Sequence, residues 1–243
     1  MYWHRFLLVI NMKTLVKKII SADSLTERKR KACLRKFLYY FKKGYTDAKY
    51  IAWERDYKWQ AHLLWEQQLG KRQFAEMLKD RRYGEIAQTA TRIESKTNLL
   101  FSFEKMALRD AVKSKEGAEL FAQGLYDYLY GSGSMQSRFE SFTTVIEQLP
   151  RKQTRVLTWP LHTVFGFIAR PDEHIFLKPK VTKASAEKYG YPFNYRSRPN
   201  WETYHDMLEF AAQVRKDTLH LRPRDYIDLQ SFIWVMGSDE YPD

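Results

Sequence analysis

Two carboxylates stand three residues apart near the end of the chain, in Arg222-Pro223-Arg224-Asp225-Tyr226-Ile227-Asp228. On a helix such positions share a face, so Asp225 and Asp228 have the spacing of a paired-carboxylate acid–base site. With Arg198 and Arg224 they outline a candidate pocket for a phosphorylated substrate. The same residues suit the first turn of a helix, where the dipole favours negative charge. There they cap the helix and hold arginines, and that account is the favoured expectation.

A second constellation is basic. Arg151, Lys152 and Arg155 are followed by Lys178, Lys180 and Lys183, then Arg196 and Arg198, with Trp159, Phe193, Tyr195 and Trp201 interleaved. Arginine and lysine neutralise phosphates, and exposed aromatics stack on bases, which is the chemistry of nucleic-acid binding. The plainer reading is a solvated lysine surface over an aromatic core.

Other signals are weaker. His162 and His174 flank an apolar stretch and read as core or loop histidines. Glu94-Ser95-Lys96 matches the short half of a metal-dependent nuclease motif, but on a helical run instead of a strand. The chain has no Walker loop, Gly-x-Gly-x-x-Gly, His-Glu-x-x-His or Gly-x-Ser-x-Gly. One cysteine and 6 scattered histidines give no metal-ligand spacing. No catalytic residue, metal or cofactor is therefore assigned.

The elements that must position these residues are mostly helices. Ser24-x-x-Glu27 is a capping box before Leu34, Phe37, Leu38 and Phe41, and Gly44 suits the stop. Arg28, Arg35 and their basic neighbours fill the other side of this helix, and Cys33 reads as a small apolar residue on it. Thr46 or Asp47 caps a helix to about Gly70. Its apolar stripe is Tyr50, Trp53, Tyr57, Ala61 and Leu64, extended by Trp65 and Leu69; its wet side is Arg55, Asp56, Lys58 and Glu66. Helices follow around Phe74–Leu78, Ile86–Ile93, 97–113, after Ser114, and from Ser134 to Leu149. Thr163–Ala169 and His174–Leu177 are β-rich on either side of a turn and predict a small hairpin at about 163–178. Thr182 is expected to cap a short helix ending at Gly190, Asn200 a long one, and Asp225 a last one closing at Gly237.

Composition bounds the rest. The 243 residues carry a formal charge of +12, held in two segments. Residues 1–43 have 12 basic and 2 acidic side chains, and residues 151–198 have 10 and 3. Residues 44–150 are neutral, and residues 199–243 have a net charge of −5. Such bunching predicts an acidic partner: nucleic acid, an anionic membrane surface or an acidic protein. A lone cysteine fits a reducing compartment, and no run approaches a membrane span, so a cytoplasmic location is expected.

Four stretches carry a resemblance: Leu149–Pro160, Phe176–Pro179, Arg198–Tyr204 and Pro223–Val235. In these the chain resembles a family of uncharacterised bacterial cytoplasmic proteins. The similarity extends back to Asn98–Asp110 and covers most of the chain after Tyr45. It implies a bacterial cytoplasmic protein and brings no activity with it.

The expected fold is mainly α: a single compact multi-helix domain at 44–243 with a small β-hairpin element in its C-terminal half. It is preceded by a basic extension and helix at 1–43. The expected function is non-enzymatic, weakly sequence-selective binding of nucleic acid through the basic segment 151–198, Tyr195 and Trp201, assisted by Arg28 and Arg35. The alternatives are an enzyme acting on nucleic acid or a phosphorylated substrate, and a subunit docking on an acidic protein.

Overall fold

The computed structural model describes residues 24–150 and 156–243. It is all-α, and no strand occurs among the described residues. A helix at 24–40 (α1) leads, through Gly44 in the left-handed region at φ 57°, into a long second helix, α2. α2 comprises Ala48–Tyr50, a π-helical turn at Ile51–Arg55, and Asp56–Leu69. Asp47 caps it by accepting from the Lys49 amide. Then come α3 (Lys71–Lys79), α4 (Tyr83–Glu94), α5 (Ser102–Ala111), α6 (Lys115–Tyr130) and α7 (Met135–Gln148). The C-terminal half holds α8 (Trp159–Ala169), α9 (Pro179–Tyr189), α10 (Trp201–Asp217) and α11 (Tyr226–Gly237).

The capping expectations are met at Asp47, Ser114, Ser134 and Asn200 but not at Thr182, which is buried inside α9 because Pro179 already starts that helix. Ser114, Ser134 and Asn200 accept from the Gly117, Ser137 and Thr203 amides, each satisfying an orphan donor of the first turn. Gly190 ends α9 with φ 74°.

The hairpin at 163–178 is a misreading, because Thr163–Ala169 lies inside α8. Thr158 caps α8 by accepting from the Leu161 amide, and Pro160 sits in its first turn. Every residue of α8 is buried, so its apolar run has no wet side from which a period could be read. His174–Leu177 belongs to no helix or strand. Side-chain hydroxyls replace the missing ladder: the Ile175 amide donates to Tyr204 Oη (3.2 Å) and the Leu177 amide to Thr163 Oγ1 (3.1 Å).

The π turn corrects a second expectation. It widens one turn of α2, which rotates Trp53 outward to 56% exposure and leaves Tyr57 half-buried. Glu54, Arg55 and Lys58 turn inward and are buried. Arg55 and Lys58, expected on the wet side, are core-facing ions.

The first helix is built into the core. Cys33, Phe37 and Phe41 are buried, and the Phe37 ring lies within 5.1 Å of Tyr45 and Phe232. Burial pushes the Cys33 thiol up to about 11, in keeping with its reading as an apolar residue. α9 and α11 pack most closely at Gly237, where a Cβ would stand 2.1 Å from the Val181 carbonyl oxygen. Gly237→Ala therefore forces the two helices apart. It is expected to cost about 1–3 kcal/mol, read as a lowered urea midpoint at unchanged slope.

Candidate nucleic-acid interface

α1 presents two unlike sides. Its apolar side seats Cys33 and Phe37 in the core, while Arg28, Arg35 and Tyr39 are exposed, Tyr39 at 77%. Arg28 and Arg35 enter no ion pair with any described residue. The helix lies against the C-terminal end of α9: Lys29 Nζ donates to the Glu187 carbonyl at 3.1 Å. The two basic segments of the sequence therefore adjoin at one place. Lys29, Lys36 and Lys188 meet there along a groove of about 680 Å³ that Arg35, Tyr39 and Tyr40 also line.

The groove already holds an acid. The residues after α11, 238–243, run back across it as an acidic strap. Asp243 accepts from Lys36 Nζ and Lys188 Nζ, both at 2.6 Å, and Tyr40 Oη donates to the Pro242 carbonyl at 2.6 Å. Lys188 and Lys36 together hold the Asp243 carboxyl below the usual carboxylate range. Farther along, Lys180 pairs with Asp239 at 2.8 Å. The Lys36 side chain is 11% exposed, so its ammonium is fixed in the groove wall.

The loop-rich segment is less free than its composition implies. Arg151, Lys152 and Arg155 lie outside the described residues. Lys178 is buried: it donates to the Leu99 carbonyl (3.0 Å) and sits over the Phe101 ring at 3.5 Å. It is no surface phosphate contact. Arg198 is engaged by both oxygens of Glu147 (2.9 and 2.8 Å). Lys183 lies over the Tyr195 ring at 4.8 Å, so this aromatic is partly covered by a cis cation. Trp201 is half-buried against Phe139 and Tyr204. Arg196 is exposed; its carbonyl accepts from Trp159 Nε1 at 2.8 Å. Of the predicted contacts, Arg28, Arg35, Lys183 and Arg196 are exposed and outside ion pairs among the described residues, and of these Arg35 lines the groove.

Sequence reasoning had no separate role for Lys29, Lys36, Lys188 and Tyr39. One signal was available: the −5 of residues 199–243 complements the +10 of residues 1–43, as two segments that meet should.

The paired carboxylates form a closed ion network. Asp225 caps α11, accepting from the Ile227 amide at 2.9 Å, and takes a two-pronged contact from Arg55 (2.9 and 2.6 Å). Asp228 accepts from Tyr50 Oη (2.6 Å), Arg55 (2.9 Å) and the backbone and side chain of Arg224. Burial alone would raise the Asp228 pKa. Hydrogen bonds from Arg224 and the charge of Arg55 outweigh it and hold the carboxyl below its usual value. Asp225 does edge an open hollow with Arg170 and His62, yet its oxygens are committed to Arg55 and the cap. Arg198 is held by Glu147 and takes no part.

His162 and His174 are both in the core. His162 Nε2 meets Thr143 Oγ1 at 2.8 Å, and His174 Nδ1 meets the Tyr128 and Tyr204 hydroxyls at 3.1 and 3.2 Å. Glu94 is buried in α4 and paired with Lys105 at 3.5 Å. No group of three metal-ligating side chains occurs among the described residues, and no described helix is long and apolar enough to cross a membrane. The chain matches no family model, no curated protein and no solved structure.

Proposed function

We propose that the protein binds nucleic acid electrostatically along the exposed side of α1 and the groove it shares with α9. The observation that carries this reading is the pair of lysines, Lys36 and Lys188, closed on one carboxylate. Two ammonium groups converging on an anion from different helices form a phosphate-sized site. Arg28 and Arg35 extend the positive charge along the helix, and Tyr39 offers a ring face for a base. The carboxylates at Asp225 and Asp228 are occupied by arginines and a helix cap, which speaks against acid–base chemistry there.

Phosphate binding of this kind releases counterions, so affinity falls steeply with salt. Fluorescence anisotropy of labelled single-stranded and duplex oligonucleotides, at about 50 and about 200 mM salt, is the direct test. Saturable binding that weakens roughly twenty- to a hundredfold across that range supports the reading, at about three to four phosphate contacts. Absence of a complex at the lower salt would sink it. The double variant Lys36→Ala/Lys188→Ala is expected to flatten the salt slope by about two contacts. Asp239→Asn/Asp243→Asn, which removes the two strap carboxylates paired with lysines, is expected to tighten binding by about two- to fivefold.

A further inference from the structure

A second hollow lies on the other side of residues 238–243. Its volume is about 400 Å³. The π turn of α2 forms one wall, and such turns recur at functional sites. Trp53, Phe101 and Trp234 stand at its sides; Lys58, Lys178 and Gln230 line it from buried positions. Aromatic walls around a few convergent polar groups are the usual build of a small-molecule site.

One of those polar groups is not satisfied by the protein, and another is only loosely paired. Gln230 is 4% exposed, and its Oε1 has no hydrogen-bond partner. A buried amide oxygen left bare costs about 1–3 kcal/mol, so it marks a place where a donor belongs. Lys178 is the other. Its nearest carboxylate oxygen, Glu104 Oε2, is 3.7 Å away and already accepts from the Phe101 amide at 2.8 Å. The ammonium otherwise meets one carbonyl and the face of Phe101. Burial accordingly lowers the Lys178 pKa despite Glu104. Lys58 differs: Glu54 (3.1 Å) and Ser231 (2.8 Å) both accept from it, and Tyr241 Oη fixes the other oxygen of Glu54 at 2.6 Å. One lysine is thus part of the frame, and the other has its counter-ion only at 3.7 Å, in Glu104.

We infer that this cavity binds a small organic anion with a flat apolar body: its acid group meets Lys178, a neighbouring N–H or O–H donates to Gln230 Oε1, and its body lies among Trp53, Phe101 and Trp234. The rings are already braced, because Lys49 sits 4.1 Å over Trp53 and Lys178 3.5 Å over Phe101. Carboxylate and phosphate monoester share this chemistry. The site is independent of the α1 groove.

The test is thermal unfolding of the full chain with benzoate, salicylate, phenyl phosphate, acetate or inorganic phosphate added. An aromatic acid is expected to raise Tm by about 2–4 °C at a few-fold excess over its Kd, while acetate and inorganic phosphate at equal concentration do not. Comparing salicylate with phenyl phosphate decides the acid group, and comparing salicylate with benzoate reads the donor to Gln230. Lys178→Met is expected to abolish the shift, Gln230→Leu to remove the salicylate preference, and Lys115→Met, on the exposed surface at the start of α6, to leave both intact. Should Lys178→Met fail to fold, Trp53→Ala at the exposed rim carries the same comparison and is expected to weaken binding about tenfold. The inference is overturned if no aromatic acid shifts Tm, if inorganic phosphate does so equally, or if the shift survives in the Lys178 or Trp53 variant.

Discussion

Arg55→Met is expected to destabilise the protein by about 3–5 kcal/mol, although the side chain is replaced by one of similar length. Arg55 is 8% exposed and stands between Asp225 and Asp228, whose side chains are 12% and 0% exposed. Removing it leaves, among the described residues, the sealed Asp228 with Arg224 as its one cation and Asp225, at the edge of the hollow, with none. Arg224 is already spent on Asp228 and the Tyr45 carbonyl (2.9 Å), so Asp225 would rely on its cap alone. Arg55→Lys restores charge but not the two-pronged contact and is expected to recover only part of the loss. Urea unfolding measures both variants. A loss below about 1 kcal/mol for Arg55→Met would show that the network adds little to the fold.

Stability is also expected to fall steeply between neutral pH and pH 5, by about 4 kcal/mol, because two histidines are locked neutral. Burial lowers the pKa of His162 to about 3. It lowers that of His174 to about 3 as well, with Arg138 and Arg170 adding to the effect. Geometry agrees: His162 Nδ1 and His174 Nε2 are buried without a partner, so an added proton would find no acceptor. Above the unfolded value of about 6.5 both states are neutral and the contribution is complete. As pH drops below 6.5 the unfolded chain takes protons that the folded chain refuses until about 3. Stability is lost across that window at about 1.4 kcal/mol per pH unit for each histidine. Asp228, whose pKa is lowered in the fold, adds to the loss only below about 4, where the unfolded carboxyl protonates. Urea midpoints from pH 7 to 5 test this. A flat profile would refute it, and His162→Gln or His174→Gln is expected to halve the slope.

The sequence made helices legible where a cap or a wet side existed. Ser114, Ser134, Asn200 and Asp225 each start the helix expected of them, because one side-chain oxygen accepting a nearby amide is a local event. α8 was unreadable as a helix because burial on all sides erases the 3.6-residue period. The inward turn of Arg55 and Lys58 was hidden for another reason. Lys58 stands eight residues after Tyr50, an α-helical spacing that its charge concealed, while Arg55, five residues after Tyr50, comes inward at the π turn, whose wider i to i+5 spacing an α-helical count does not include. Asp225 and Asp228 were correctly favoured as cap and ion-pair residues. Their partner Arg55 lies 170 residues from Asp225, a distance that no local pattern spans. The groove depended on the same kind of long-range closure, with Lys36 meeting Asp243 across 207 residues.

That closure has a consequence for how the chain is made. Phe37, Phe41, Tyr45 and Tyr50 form one ring cluster whose partners from the far part of the chain are Phe232 and Tyr241. Synthesis at about 5–20 residues per second leaves those four rings waiting roughly ten to forty seconds for the far side of their core. Throughout that interval the nascent chain offers a bare aromatic surface flanked by lysine and arginine, the kind of stretch that holdase chaperones cover.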